Sequence, residues 1–315
     1  MAHHSSYSSP NDLLQQIALE YLKEKKHKRR WKLLRTLIWV ILICFLLYGL
    51  FSNADDEALR NKSHVALIDI RGVMDDQSLS RADNIAQSFA EAYHDKGTRA
   101  IILRINSPGG SPVQADDIYR TVMRYRTLHP KIKIYAVCTD ICASAAYYAA
   151  SAANEIYANP ASLVGSIGVI YEGFGFVNLM KKVGVERRLF TAGKYKGFMD
   201  PFSPEKSQEN QFMQTMLDSV HLQFEERVKA GRGERLKITP DTFTGLVWTG
   251  EQAKEQGLID GFGSAGSVAR EVIHVKTVVD YSVPETVLDK FAHQLGIGAT
   301  AQVSSALMGG IKAQA

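Results

Sequence analysis

The chain has 315 residues, 45% of them hydrophobic and 22% charged, so it is long enough for one large domain or two small ones and is not disordered as a whole. The formal net charge of +4 is unevenly placed: residues 1–35 carry eight Lys/Arg against Asp12, Glu20 and Glu24, which leaves the rest of the chain at −1. A nearly neutral body argues against a nucleic-acid groove, and three cysteines are too few for a disulfide framework.

Residues 1–35 read as a basic cytoplasmic segment, with "LEYLKEKKHKRRWK" (Leu19–Lys32) as a juxtamembrane helix. "TLIWVILICFLLYGLFSNA" (Thr36–Ala54) holds no charge, and its length suits the roughly 20 residues of a bilayer-spanning helix. Trp39 and Tyr48 are placed for the two interfaces, and "DDE" (Asp55–Glu57) follows the span. The positive-inside rule keeps the N-terminus in the cytoplasm and sends everything after Ala54 outside. "SNA" (Ser52–Ala54) offers small residues at the spacing of a signal cleavage site, but the long leader before the apolar run favours an uncleaved anchor over 36–54. Cys44 falls in that span. Cys138 and Cys142 are expected as two buried thiols, in a compartment that permits a disulfide.

After the span, short apolar runs alternate with helical patterns. "VALIDIRG" (Val65–Gly72), "AIILRIN" (Ala100–Asn106) and "KIKIYAVC" (Lys131–Cys138) read as strands. "SRADNIAQSFAEAYHD" (Ser80–Asp95) and "QADDIYRTVMRYRTL" (Gln114–Leu128) have helical spacing, and a small-residue helix starts near Ala143. Continuous apolar strands separated by helices predict parallel pairing and an α/β domain. Farther on, Ser203–Gly231 reads as a capped helix and "WTGEQAKEQGLIDGFGS" (Trp248–Ser264) as a short helix with glycine turns. The exported domain is placed at 55–282, and the tail over 283–315 has no periodicity that predicts structure.

Three stretches are candidates for chemistry. "INSPGGS" (Ile105–Ser111) ends a strand with glycines that suit a turn, or an oxyanion hole built from backbone N–H groups. It lacks the spacing of a phosphate-binding glycine loop. "CASAAYYAASAA" (Cys142–Ala153) surrounds Ser144 with small residues at a strand-to-helix corner, where a helix N-terminus favours negative charge. Ser144 there is an N-cap or packing residue, or a nucleophile that needs a base. The G-x-S-x-G elbow is not matched, and none of His64, His94, His129, His221, His274 and His293 has a catalytic setting. A lysine can replace the histidine. "TAGKYKGFMDPF" (Thr191–Phe202) offers Lys194 and Lys196 beside glycines and apolar residues, or simply two solvated lysines.

Taken together, "NSPGG", "ASAAYY", "VGSIGVIYE" (Val164–Glu172) and "GKYKGFMDPF", in this order behind an N-terminal anchor, resemble the short form of signal peptide peptidase A. The resemblance runs on through "GRGE" (Gly231–Glu234) and "WTGEQAKEQGLID" (Trp248–Asp260) and covers roughly Val65 to Ser264. It implies a ClpP/crotonase-like fold of repeated ββα units and a Ser-Lys serine endopeptidase, with no metal and no cofactor. By the same resemblance Ser144 is the nucleophile, Lys196 the general base, Gly110 and Ala145 the oxyanion donors, and Ser166 the residue that orients the lysine. Ala145 and Ala146 stand where the family has two glycines. Released signal peptides and other apolar peptides are the implied substrates, the bilayer and further copies of the chain the implied partners, and the bacterial inner membrane the implied location. Two other readings remain: a catalytically inactive scaffold in membrane-protein quality control, and a crotonase-type acyl-CoA enzyme, whose cytosolic cofactor does not suit an exported domain.

Overall fold

The computed structural model describes residues 25–44 and 62–284. Residues 25–44 form one helix, α1, exposed along its length, in a unit separate from the body that begins at Arg60. Its last part, 36–44, is the start of the expected anchor. Residues 45–54 of that anchor lie outside the described residues, as do 1–24 and most of the tail. Among the described residues no helix is long and apolar enough to cross a membrane.

The body is built on an eight-stranded sheet. In chain order come β1 (His64–Arg71), α2 (Ala82–His94), β2 (Thr98–Ser107), α3 (Pro112–Leu128), β3 (Lys133–Ala143) and α4 (Ala145–Ser151). They are followed by β4 (Glu155–Ala158), β5 (Leu163–Gly165), α5 (Val177–Val183), α6 (Ser207–Arg232), β6 (Val247–Thr249), α7 (Gly250–Glu255), β7 (Gly261–Phe262), α8 (Ala265–Ser267) and β8 (Val278–Asp280). The main path through the sheet is β6-β5-β3-β2-β1-β8, with β4 beside β3 and β7 beside β4. Every pairing is parallel except β5 with β6. The mixed α/β architecture with a mostly parallel sheet is the one the alternating apolar runs predict.

The three central strands are apolar on both faces because both faces are covered. Ile68 and Ile70 of β1, Leu103 and Ile105 of β2, and Ala136 of β3 pack with residues of α2, α3 and α4. Their alternates, among them Val65, Leu67, Ile102 and Val137, pack on the other face with Val268 and Ala269. That division is the period of two in a strand's side chains.

Two boundaries differ from expectation. β3 continues past Cys138 to Ala143, because a bulge lets it exchange one neighbour for another. α6 starts at Ser207, not Ser203. Pro204 disfavours helix at the residue before it, and the Ser203 hydroxyl instead donates to Asp200 Oδ2 at 2.6 Å. At the far end of α6, fully buried Arg232 forms a bidentate pair with Asp260 at 2.7 and 2.9 Å, and its Nε donates to the Gly257 carbonyl at 2.9 Å. Asp260 Oδ2 also accepts the Ile156 N–H at 2.7 Å, so one ion pair fastens α6, β4 and the turn before β7.

Candidate active site

The site begins with an interruption in a ladder. β2 and β3 run in register from Ala100 with Lys133 to Ile105 with Cys138, and resume at Ser107 with Cys142. One residue of β2, Asn106, therefore faces three of β3: Thr139, Asp140 and Ile141. Before the bulge β3 pairs with β4, and after it with β5. The extra residues bend the strand, as bulges do, and carry its end to a new neighbour. That end is Ala143, and Ser144 follows.

Ser144 has φ 54° and ψ −126°, a conformation that non-glycine residues rarely hold. It sits at the N-cap of α4, its side chain makes no capping hydrogen bond, and its N–H donates to the Gly165 carbonyl at 2.8 Å. The capping role open to it on sequence is therefore not the one it plays. Its hydroxyl is left at a tight corner, with the unpaired N–H groups of the first turn of α4 beside it.

The glycine loop closes on this corner. A Cβ on Gly109 would lie 2.8 Å from Ser144 Cβ and 2.9 Å from the Ala145 nitrogen, so only glycine permits the approach. Gly109 holds φ 106° and Gly110 φ 150°. Met74 bridges to Gly110: the Met74 N–H donates to the Gly109 carbonyl at 2.9 Å and the Ser111 N–H donates to the Met74 carbonyl at 2.7 Å. Bonds on both sides of Gly110 to one residue turn its own N–H away from Met74. Gly109 was not among the residues marked from the sequence, although the glycine doublet was the available signal.

Ser166 stands on the rung beside Ser144, since Ala143 pairs with Gly165. It too has a positive φ, 51°, and its N–H donates to the Leu246 carbonyl at 2.8 Å. Ala145 and Ala146 are ordinary helical residues without positive φ, so the backbone here does not require the two glycines of the family pattern. The tyrosines after them brace the short helix. The Tyr147 hydroxyl donates to the Leu258 carbonyl at 2.7 Å, and that of Tyr148 to Asp116 Oδ1 at 2.8 Å. Burial, then the Asp116 hydrogen bond, push the Tyr148 phenol up to about 12. Cys142, two residues before Ser144, is fully buried beside Cys138, both are free thiols, and burial pushes the Cys142 thiol well up. It is no rival nucleophile.

Lys196 lies on an exposed turn of an arm that runs from about 169 to 206 around α5, a helix that buries no residue. Among the described residues no side-chain hydrogen bond or ion pair reaches its ammonium, so it is not within bonding reach of Ser144. Lys194 lies over the Tyr195 ring at 4.9 Å. The arm is tied to itself and to the start of α6: Arg187 pairs with Asp200 at 3.1 Å, and the Met199 N–H donates to Glu209 Oε2 at 3.1 Å. The structure thus gathers Ser144, Gly110, Ala145 and Ser166 at one corner, and among the described residues Lys196 makes no side-chain hydrogen bond to it. Among the described residues there is no group of side chains that could hold a metal ion.

Residues 126–278, which include Ser144, Ser166 and the arm but not Gly109 and Gly110, match the family described as Peptidase family S49. There the chain is similar to signal peptide peptidase A-type proteins of that family. It is 29% identical over 224 residues to the chloroplastic serine protease SPPA of Arabidopsis thaliana, covering 68% of this chain and 33% of that one. Against protease 4 of Haemophilus influenzae it is 27% identical over 229 residues, covering 70% and 37%. A Brucella abortus protein named as the Na(+)/H(+) antiporter NhaA is 42% identical over 195 residues, covering 62% of this chain and 26% of that protein. The chain therefore spans between about a quarter and just over a third of the length of those relatives, and the antiporter name belongs to a protein of which it matches only that quarter.

Proposed function

We propose that this serine peptidase is a membrane-anchored endopeptidase that cleaves extended apolar peptides, released signal peptides among them, through an acyl-enzyme on Ser144. The observation that carries the reading is the corner itself: a serine held at positive φ, at a helix N-terminus, with a glycine loop packed directly against it. In the reaction Ser144 Oγ attacks the peptide carbonyl while Lys196 takes its proton. The Gly110 and Ala145 N–H groups receive the developing oxyanion, Lys196 returns the proton to the leaving amine, and water then releases the acyl group. Ser166 orients the lysine. The fold is of the ClpP/crotonase type, and no metal or cofactor takes part.

A lysine acts as a base only where its ammonium is poorly solvated. In a single copy Lys196 is exposed and, among the described residues, makes no hydrogen bond to Ser144, on an arm where Phe174 is 74% exposed and Phe190 91%. We therefore assign the completion of the pair to assembly, in which arms of a homo-oligomer are covered and a lysine is delivered to a serine. The anchor over 36–54 holds the body on the exported face of the bacterial inner membrane; its support is the uncharged apolar sequence beyond the basic part of α1.

The inactive-scaffold reading draws on the same lack of a hydrogen bond between Lys196 and Ser144, so the test must separate the two. Full-length protein is treated with a serine-directed fluorophosphonate, with Ser144→Ala as control, and Ser144→Ala is mixed with Lys196→Ala under conditions that exchange subunits. Ser144-dependent labelling, with turnover of an apolar peptide regained on mixing, is expected. No labelling of the wild type would sink the peptidase reading, and labelling without regained turnover would sink the shared site.

A further inference from the structure

We infer that Asn106 is a positioning residue that keeps the oxyanion loop and the nucleophile corner in register, by supplying with its side chain the hydrogen bonds that the bulged ladder loses. This rests on the peptidase reading of Ser144 and concerns a residue to which that reading gives no role.

Backbone N–H and C=O groups in a sheet need partners, and a bulge removes some of them. Where β2 and β3 fall out of register, the three residues Thr139, Asp140 and Ile141 face only Asn106, so the ladder cannot pair all their N–H and C=O groups. The Ile141 N–H is taken by Asn106 Oδ1 at 3.2 Å. The other half of the same amide, Nδ2, donates to Asp140 Oδ2 at 2.9 Å. Thr139 Oγ1 donates back to the Ile105 carbonyl at 3.1 Å, which closes the other side of the bulge. A carboxamide suits this place because it offers an acceptor and a donor in one plane. Leucine or alanine offers neither.

Position gives the contact its consequence. On the β2 side, the Asn106 carbonyl accepts the Gly72 N–H at 3.0 Å, and the next residue, Ser107, is fully buried with its Oγ accepting the Gly109 N–H at 3.1 Å. On the β3 side, Ile141 is the first residue of the stretch that pairs with β5 and ends at Ala143, just before Ser144. One side chain therefore joins the strand that leads into Gly109 and Gly110 to the strand that leads into Ser144 and Ala145. The donors and the nucleophile come from different strands, and their relative placement must hold to a fraction of an ångström for the oxyanion to be met. Asn106 does not touch substrate. It acts through the backbone on either side.

The amide and carboxylate can be exchanged, and that provides the test. Asn106→Asp sets two carboxylates against each other, whereas Asn106→Asp combined with Asp140→Asn restores one donor and one acceptor in reversed order while the Ile141 N–H keeps its partner. Steady-state hydrolysis of an apolar peptide is measured for the full-length wild type, Asn106→Ala, Asn106→Asp and the double swap, together with Tm. We expect Asn106→Ala and Asn106→Asp to lower kcat by about 10- to 100-fold, as misplacement of catalytic groups does, with KM nearly unchanged. The double swap should recover most of kcat. Wild-type kcat in Asn106→Ala, or a double swap that folds yet stays as slow as Asn106→Asp, would overturn the inference. If Asn106→Ala fails to fold, the comparison of Asn106→Asp with the swap decides alone. Amide hydrogen exchange on the same proteins keeps this outcome apart from that of the peptidase reading. Without any Ser144-dependent hydrolysis in the wild type the peptidase reading fails, and faster exchange at both Ile141 and Gly109–Ser111 in Asn106→Asp, reversed by the swap, would still support the link. Exchange unchanged at Gly109–Ser111 would refute it.

Discussion

Around Ser144 the chain leaves almost nothing open: Ala143, Ala145, Ala146, Tyr147 and Tyr148 are each at most 4% exposed. On the arm that carries Lys196 the order is reversed, with Ile170, Phe174 and Phe190 more than 70% exposed and α5 burying no residue. The corner is specified by contacts within one copy, through a bulge, a glycine approach and two hydroxyl braces. The arm is specified locally, by Arg187 with Asp200, by Glu209 with Met199 and by Phe198 against Phe212, while Ile170, Phe174 and Phe190 stay mostly exposed. On the function proposed above, a chain arranged in this way would fix its nucleophile in advance and leave the base to be supplied by a further step.

The sharpest way to break this comparison is at the serine. Ser144→Ala removes one oxygen that makes no capping bond, from a place lined by alanines. Hydrolysis should fall by roughly 10^4-fold or more, because the covalent route is lost, while Tm moves little. A fall in Tm comparable to that of a core substitution would show that Ser144 is a packing residue instead.

The arm should respond almost as strongly in activity and not at all in stability. Lys196→Ala and Lys196→Arg are both expected to lower kcat/KM by roughly 10^2- to 10^4-fold, since arginine stays protonated. Neither should shift Tm, because no bond reaches the Lys196 ammonium in the single copy. Lys194→Ala should retain most turnover. Full activity in Lys196→Arg would remove Lys196 as the base and leave the arm without its assigned role.

How much of this was legible in the sequence follows the same division. The buried strands were, because β1, β2 and β3 are covered on both faces and therefore read as continuous apolar runs. β4 to β8 were not: each has four residues or fewer, too short for a period to emerge. Ser144 and the glycine doublet could be marked because small residues and glycines are rare in such runs, yet Asn106 passed as part of a strand. Its role depends on a bulge in a different strand, over residues 139–141, with no glycine or proline near it in sequence to signal it. The exposure of Lys196 in a single copy was invisible too, since spacing along a chain says nothing about which surfaces remain uncovered.

A stability test addresses the frame that holds the corner's helix in place. Arg232→Ala leaves the Asp260 carboxylate without its bidentate partner, next to Arg235 at 3.1 Å. Burial raises the Asp260 pKa, but the Arg232 hydrogen bond and charge, with the Ile156 N–H, outweigh it and hold the group below the usual carboxylate range. Removing one member of a buried pair costs about 3–5 kcal/mol, to be measured by denaturant unfolding. Because Arg232 closes α6 against β4 and does not contact the arm, this loss should appear in the body and spare the local bonds of Arg187 with Asp200. Unfolding midpoints unchanged from wild type would mean that the pair contributes nothing net.

The smallest effect should come from Tyr148→Phe, and its pH dependence is what makes it informative. Asp116 is 7% exposed and accepts from Tyr148 at 2.8 Å and from Arg227 at 3.1 Å, with Arg120 beside it. Burial alone would raise its pKa, but the Tyr148 hydrogen bond and the two arginines lower it below the ordinary value. A carboxylate whose folded pKa is depressed contributes stability that is present above its unfolded pKa and is lost as pH falls through the folded one. Tyr148→Phe removes one of the bonds that depress it, so the folded pKa moves back towards the unfolded value. At neutral pH the variant should lose about 1.5–3 kcal/mol, the range for a hydrogen bond to a charged group. As pH falls through the Asp116 titration the gap between variant and wild type should narrow, because the wild type gives up the same contribution. The two arginines keep the carboxylate paired throughout, so the corner itself survives and kcat at neutral pH should change far less than in any Ser144 or Asn106 variant. A gap that stays constant from neutral to acid pH would show that the phenol acts through packing alone, and that the brace beneath Ser144 is not electrostatic.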